Sequence, residues 1–132
     1  MKGTIPAYDD MFSPPAPVVR ANLRNPQSDA IVHDVLLLID SGADVTLLPS
    51  AAIESVGLER SAAAYELIGF DGTRSTTDEV RAELAVFGRV FQGWFLLTDD
   101  TMGILGRDIM NRVALLLDRP RLTWELSVAR EG

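Results

Sequence analysis

The chain has 132 residues, enough for one domain with a sizeable core. Its formal net charge of −7 argues against a nucleic-acid partner and against an anionic membrane surface, because both need a basic face. With no cysteine and a single histidine, it lacks the residues for disulfides, for a cysteine nucleophile and for a zinc site, and no metal or other cofactor is expected.

Residues 1–17 read as a proline-rich arm. Pro6, Pro14, Pro15 and Pro17 oppose regular pairing and favour an extended path. Nothing in the arm forms a hydrophobic signal core, and no apolar run is long enough to span a bilayer, so the cytoplasm is the expected location. Residues 18–132 read as the domain. Val18 to Arg24 is a first strand, and Asn25 to Asp29 is a turn by composition. Ala30 to Ile39 is a second strand, with His33 as an ordinary residue ahead of its apolar run. That run, Val35-Leu36-Leu37-Leu38-Ile39, does not alternate and so predicts burial on both faces. It ends in Asp40-Ser41-Gly42, which places a carboxylate at a strand end and then turns the chain.

Val45 to Leu48 resumes strand character. Pro49-Ser50 opens a short helix through Val56, with Gly57 as its stop. Tyr65 to Phe70 and Thr73 to Phe87 form the arms of a hairpin turned at Asp71-Gly72. In the second arm, Val80, Ala82, Leu84 and Val86 alternate with charged or small residues, the pattern of a half-buried strand. Val90 to Leu97 follows, with Trp94, Phe95, Leu96 and Leu97 as candidate core. Met102 to Gly106 is a short apolar strand between glycines, and Arg107 to Val113 a helix with Ile109, Met110 and Val113 on one side. Ala114 to Asp118 and Leu122 to Val128 make a last hairpin. Many short strands with two short helices predict an all-β barrel or sandwich.

Three stretches then stand in order: Asp40-Ser41-Gly42-Ala43 after an apolar strand, Gly69-Phe70-Asp71-Gly72 in a hairpin, and Ile104-Leu105-Gly106-Arg107-Asp108 opening a helix. Together they resemble the retropepsin-like aspartic proteases, in particular the single-domain bacterial and cellular relatives. The resemblance covers about Val18 to Val128. It implies a closed acid-protease barrel with a flap hairpin and one or two short helices. It also implies an aspartic endopeptidase acting on polypeptides with Asp40 as the catalytic carboxylate. Ser41 takes the family role of the hydroxyl that locks two such loops together, with Gly42, Ala43, Asp44 and Arg107 as further loop support. An internal ion pair between Asp44 and Arg107 is implied as well. Ile68, Gly69, Phe70, Asp71 and Gly72 become the flap over the substrate, and Ile104, Leu105 and Gly106 the wall behind the catalytic loop.

The chemistry of this class needs two carboxylates, one acting as general base on a water while the other protonates the carbonyl or leaving group. The chain carries one such motif, because Asp71-Gly72-Thr73 has a different order and sits in a turn. A lone motif implies a homodimer with Asp40 and its symmetry mate on a two-fold axis. The terminal hairpin with Trp124 is longer than the viral pattern, and the proline-rich arm lies outside it. The arm is open to reading as a self-processing leader, a dimerisation arm or neither. Two other functions compete. One is a non-catalytic peptide-binding or dimerisation module on the same fold. The other is a strand-end carboxylate of an α/β phosphotransfer enzyme, which needs a further acid two residues on, where this chain has Gly42, or helices between the strands.

Overall fold

A computed structural model describes residues 7–68 and 71–127, with the side chains of residues 63–66 and 75–76 outside that description. The strands and helices, in order, are β1 (Tyr8–Asp9), β2 (Ala16–Arg24), β3 (Ile31–Ile39), β4 (Leu47–Pro49), α1 (Ser50–Ser55), β5 (Arg60–Ile68), β6 (Arg74–Val86), β7 (Arg89–Thr98), β8 (Gly103–Leu105), α2 (Arg107–Met110), β9 (Leu115–Asp118) and β10 (Thr123–Leu126). The protein is all-β with two short helices, as its many short strands imply. The main sheet runs β1-β2-β3-β8-β4-β7-β6-β5, and β2 also pairs with β6. The strands β2, β3, β8, β4, β7 and β6 therefore form a hydrogen-bonded series that returns to its start.

Alternation explains the interior. Val19, Ala21 and Leu23 of β2, Leu37 and Ile39 of β3, Val80, Ala82, Leu84 and Val86 of β6, and Phe91, Phe95 and Leu97 of β7 point inward and are buried. β3 is a correction to the sequence reading. Val35, Leu37 and Ile39 are buried, but Leu36 and Leu38 between them are only half-buried. The continuous apolar run thus has one fully buried face, not two. Trp94 is a second correction: it is 53% exposed, since it falls on the outer face between buried Phe91 and Phe95.

Several boundaries also move. β2 begins at Ala16, and the arm pairs with it, Tyr8 facing Pro17 and Asp9 facing Ala16. The Tyr8 N–H donates to the Leu122 carbonyl at 2.9 Å, so β1 is held between β2 and the terminal hairpin. Trp124 secures the same corner: its Nε1–H donates to the Val18 carbonyl at 2.7 Å, and its ring meets Phe87 edge-on at 5.5 Å. These long-range contacts offset the poor pairing of the prolines. β5 starts at Arg60 instead of Tyr65, with an irregular register between Ser61 and Tyr65. Ile68 pairs with Arg74, so among the described residues the second arm of the hairpin begins at Arg74 instead of Thr73. The second helix stops at Met110. The N–H groups of Arg112 and Val113 donate to the carbonyls three residues back, a tighter winding that ends the α-helix.

Among the described residues no helix is long and apolar enough to cross a membrane.

Candidate active site

The loop after β3 owes its position to β8. This strand, distant in sequence, inserts between β3 and β4. Leu37, Leu38 and Ile39 pair in parallel with Gly103, Ile104 and Leu105, and Leu47 of β4 pairs with Ile104 in antiparallel fashion. The ladder runs one step past β3, because the Asp40 N–H donates to the Leu105 carbonyl at 3.1 Å. Asp40 is thereby fixed at the end of a buried ladder, and the residue is half-buried.

Local hydrogen bonds then fold the loop over. Gly42 N–H donates to Asp40 Oδ1 at 2.9 Å, and Ala43 N–H donates to the Asp40 carbonyl at 3.1 Å. This is the turn that Asp-Ser-Gly promotes, with the carboxylate as acceptor. The start of α2 clamps the outer side. Arg107 N–H donates to the Ala43 carbonyl at 2.8 Å, and its Nη1 donates to the Ser41 carbonyl at 2.6 Å. Arg107 thus supports the loop through backbone carbonyls. The ion pair expected between Arg107 and Asp44 does not form among the described residues, because the guanidinium is turned toward Ser41.

Beneath the loop lies a bracket absent from the sequence reading. Thr46 is fully buried. Its Oγ1 donates to Asp108 Oδ1 at 2.7 Å and accepts from the Gly106 N–H at 3.1 Å. Its own N–H donates to Asp108 Oδ2 at 3.0 Å, and Ile109 N–H donates to Asp108 Oδ1 at 2.9 Å. One carboxylate therefore ties the loop, β4 and α2 together. Gly106 makes the close approach possible: a Cβ there would lie 2.5 Å from the Val45 carbonyl carbon and 2.6 Å from its oxygen. A polar residue inside the alternating Val45-Thr46-Leu47-Leu48 run was the available signal, since such a residue needs a buried partner.

Asp40 opens on a cavity of about 400 Å³ lined by Gly42, Ala43, Asp44, Val45, Leu47, Leu67, Ile68, Thr73 and Ile104. The loop motif, the hairpin and the third signature therefore meet at one place. Ile104 faces the cavity, whereas Leu105 is fully buried in the core below it. Ser41, Asp44 and Arg107 are exposed, as are Asp71 and Gly72. Ile68 is 66% exposed at the hairpin end. Gly69 and Phe70 lie outside the described residues. The Thr73 hydroxyl, and after it the Thr73 backbone N–H, hold the Asp71 carboxyl below its usual value of 3.8. Val45, Leu47, Leu67 and Thr73 complete the walls without having been singled out in the sequence. A further cavity of about 550 Å³ lies by β1 and Trp124, away from this loop, and has none of the three signatures in its walls. No group of three or more potential metal ligands occurs among the described residues.

The fold is that of the retropepsin-like proteins. A solved structure titled EIAV protease complexed with the inhibitor HBY-793 superposes with a TM-score of 0.59 at 22% identity, over 74% of this chain and 86% of that one. No protein-family model and no curated protein sequence matches the chain.

Proposed function

We propose that the protein is an aspartic endopeptidase that works as a homodimer. Asp40 and its symmetry mate would supply the two carboxylates, and the substrate would be an extended polypeptide. The observation that carries this reading is the position of Asp40: it is held at a strand end by the Leu105 carbonyl, and its residue lines a largely apolar cavity under the β5–β6 hairpin. The likeness in fold to a protease solved with an inhibitor supports it. In the mechanism, two carboxylates about 3 Å apart do not both ionise. The ionised one takes a proton from the bound water as that water attacks the peptide carbonyl, and the protonated one gives its proton to the carbonyl oxygen or the leaving nitrogen. Ser41 and Gly42, which are exposed, would meet the second copy. The β5–β6 hairpin would close over the peptide, exclude water and lend apolar contact through Ile68. The residue-level roles of Ser41, Gly42, Ala43, Asp44, Arg107, Ile68, Asp71, Gly72, Ile104 and Gly106 belong to this proposal, as do the two copies per active unit.

The test is cleavage of an unfolded protein and of a peptide library at acidic pH, together with light scattering over a concentration series. The wild type is expected to cleave as a dimer, and Asp40→Asn to lose at least three orders of magnitude in kcat/KM. Equal cleavage by Asp40→Asn would falsify the assignment. A chain that remains monomeric and binds peptides without cutting them would establish the binding-module alternative.

A further inference from the structure

The outer face of the sheet carries a groove that the Asp40 site does not use. Arg81 of β6 and Trp94 of β7 stand directly opposite each other on that face. Pro26, Gln27 and Arg81 line two adjoining hollows of about 260 and 170 Å³, and Leu58, Glu59 and Trp94 line the first. Buried hydrogen bonds hold the banks of the groove. Asn25, itself buried, donates from Nδ2 to the Val56 carbonyl at 2.9 Å and accepts from the Gln27 N–H at 3.0 Å. It thereby ties the β2–β3 turn to the residue that caps α1. Glu83, in the second hollow, is taken by Arg24 and Gln92. Arg81, by contrast, has no ion-pair partner among the described residues, and Trp94 is 53% exposed. An exposed indole beside an unpaired guanidinium suits a polarisable apolar group next to a carboxylate.

The chain presents that pair elsewhere on its surface. Between β1 and β2, Asp10 and Met11 sit side by side and exposed, in a turn where the Met11 N–H donates to Asp9 Oδ1 at 2.9 Å. Met11 is 88% exposed, more than any other large apolar residue described. We propose that the Asp10-Met11 loop of one copy docks in the groove of another, with the Met11 thioether on the Trp94 ring and the Asp10 carboxylate on Arg81. Charge sets the direction of entry. Glu59 lines the first hollow only, whereas Arg81 lines both, so an acid is attracted at Arg81 and repelled at the Glu59 end. The groove adjoins the turn before β3, and Asp40 follows the other end of that strand, about 30 Å away along its nine residues. The docking is therefore separate from pairing through Asp40 and does not rest on the endopeptidase reading. Loop and groove are different surfaces, so the contact closes only by reciprocal exchange or as a ring, and otherwise builds chains.

The experiment uses the full chain and a fluorescein-labelled peptide, Asp-Asp-Met-Phe-Ser-Pro-Pro, that copies residues 9–15. By fluorescence anisotropy the peptide is expected to bind the wild type. Trp94→Ala and Arg81→Glu should each raise its Kd about threefold or more, the range of one Met–aromatic contact and of one partly exposed ion pair. High salt should weaken binding to the wild type, as screening requires. Light scattering over a concentration series reads the contact between whole chains. The wild type should gain mass with concentration beyond Asp10→Lys and Arg81→Glu, and the double variant, with the pair reversed, should recover the gain. All three positions are exposed, so the fold is kept, and pairing through Asp40 is common to every chain and cancels from the comparison. Equal mass curves for the wild type and the single variants overturn the proposal, as does a double variant that fails to recover. Peptide binding that is indifferent to both Trp94→Ala and Arg81→Glu overturns it too. A groove that binds the peptide in chains that do not associate through it overturns the second copy as occupant and leaves the groove to acidic segments of another protein.

Discussion

Thr46→Val removes one hydroxyl from the centre of the bracket and keeps the shape of the side chain. Two hydrogen bonds go with it, the 2.7 Å bond to Asp108 and the 3.1 Å bond from Gly106 N–H. The Gly106 N–H is buried and loses its acceptor, which costs about 1–3 kcal/mol. Asp108 keeps the Thr46 and Ile109 N–H donors and stands partly in water, so its loss is about 1 kcal/mol. The methyl that replaces the hydroxyl returns about 0.8 kcal/mol of apolar burial. The net destabilisation is about 2 kcal/mol, and for a domain of this size that lowers Tm by roughly 6–10 °C. The measurement is thermal and urea unfolding at one fixed protomer concentration, since a dimer makes Tm depend on concentration. A double-mutant cycle with Asp108→Ala isolates the pair and should give a coupling of about 1 kcal/mol. Full additivity of the two substitutions, or a Thr46→Val protein within about 0.5 kcal/mol of wild type, would refute the claim that this contact anchors the loop.

Gly106→Ala should cost about 1–3 kcal/mol, because its Cβ would meet the Val45 backbone at 2.5 Å and only movement of the loop can relieve it. Gly93→Ala is the control, with nothing within 4 Å of the added Cβ, and should change stability by less than about 1 kcal/mol. Comparable losses in the two variants would remove the argument for close packing at position 106. The Asp71 contact with Thr73 gives a pH prediction. The folded-state carboxyl is held below 3.8, so the ordering it gives the hairpin loop is complete above that value and fades as the pH falls through the lower folded one. An NMR titration of Asp71 should show Thr73→Ala moving its midpoint upward, and an unmoved midpoint would assign the shift to another cause.

The parts of the candidate site that were legible in the sequence are local ones. Asp40 stands out because an apolar run ends on it and Ser41-Gly42 must turn. The period-two pattern of Val80 to Val86 is likewise set within a few residues. The order of the three signatures pointed to the fold for the same reason: each is a short pattern with its own backbone requirement. The extent of β5 was not legible, since Arg60 to Ala64 are polar or small and gain strand structure only by pairing with β6.

What the sequence by itself determined, then, is where the chain turns, which positions alternate, and that a carboxylate follows a buried strand. Tertiary structure decided how that carboxylate is held. The insertion of β8 between β3 and β4 brings Leu105 to Asp40, and it brings Asp108 to Thr46 across 62 residues of chain. It also decided that β1 docks beside the terminal hairpin, that Trp94 faces outward, and that Arg107 turns to Ser41 instead of Asp44. The physical reason is the same in each case. Alternation and turn chemistry act between near neighbours, while buried hydrogen bonds and ion pairs are chosen among all groups the fold brings within reach.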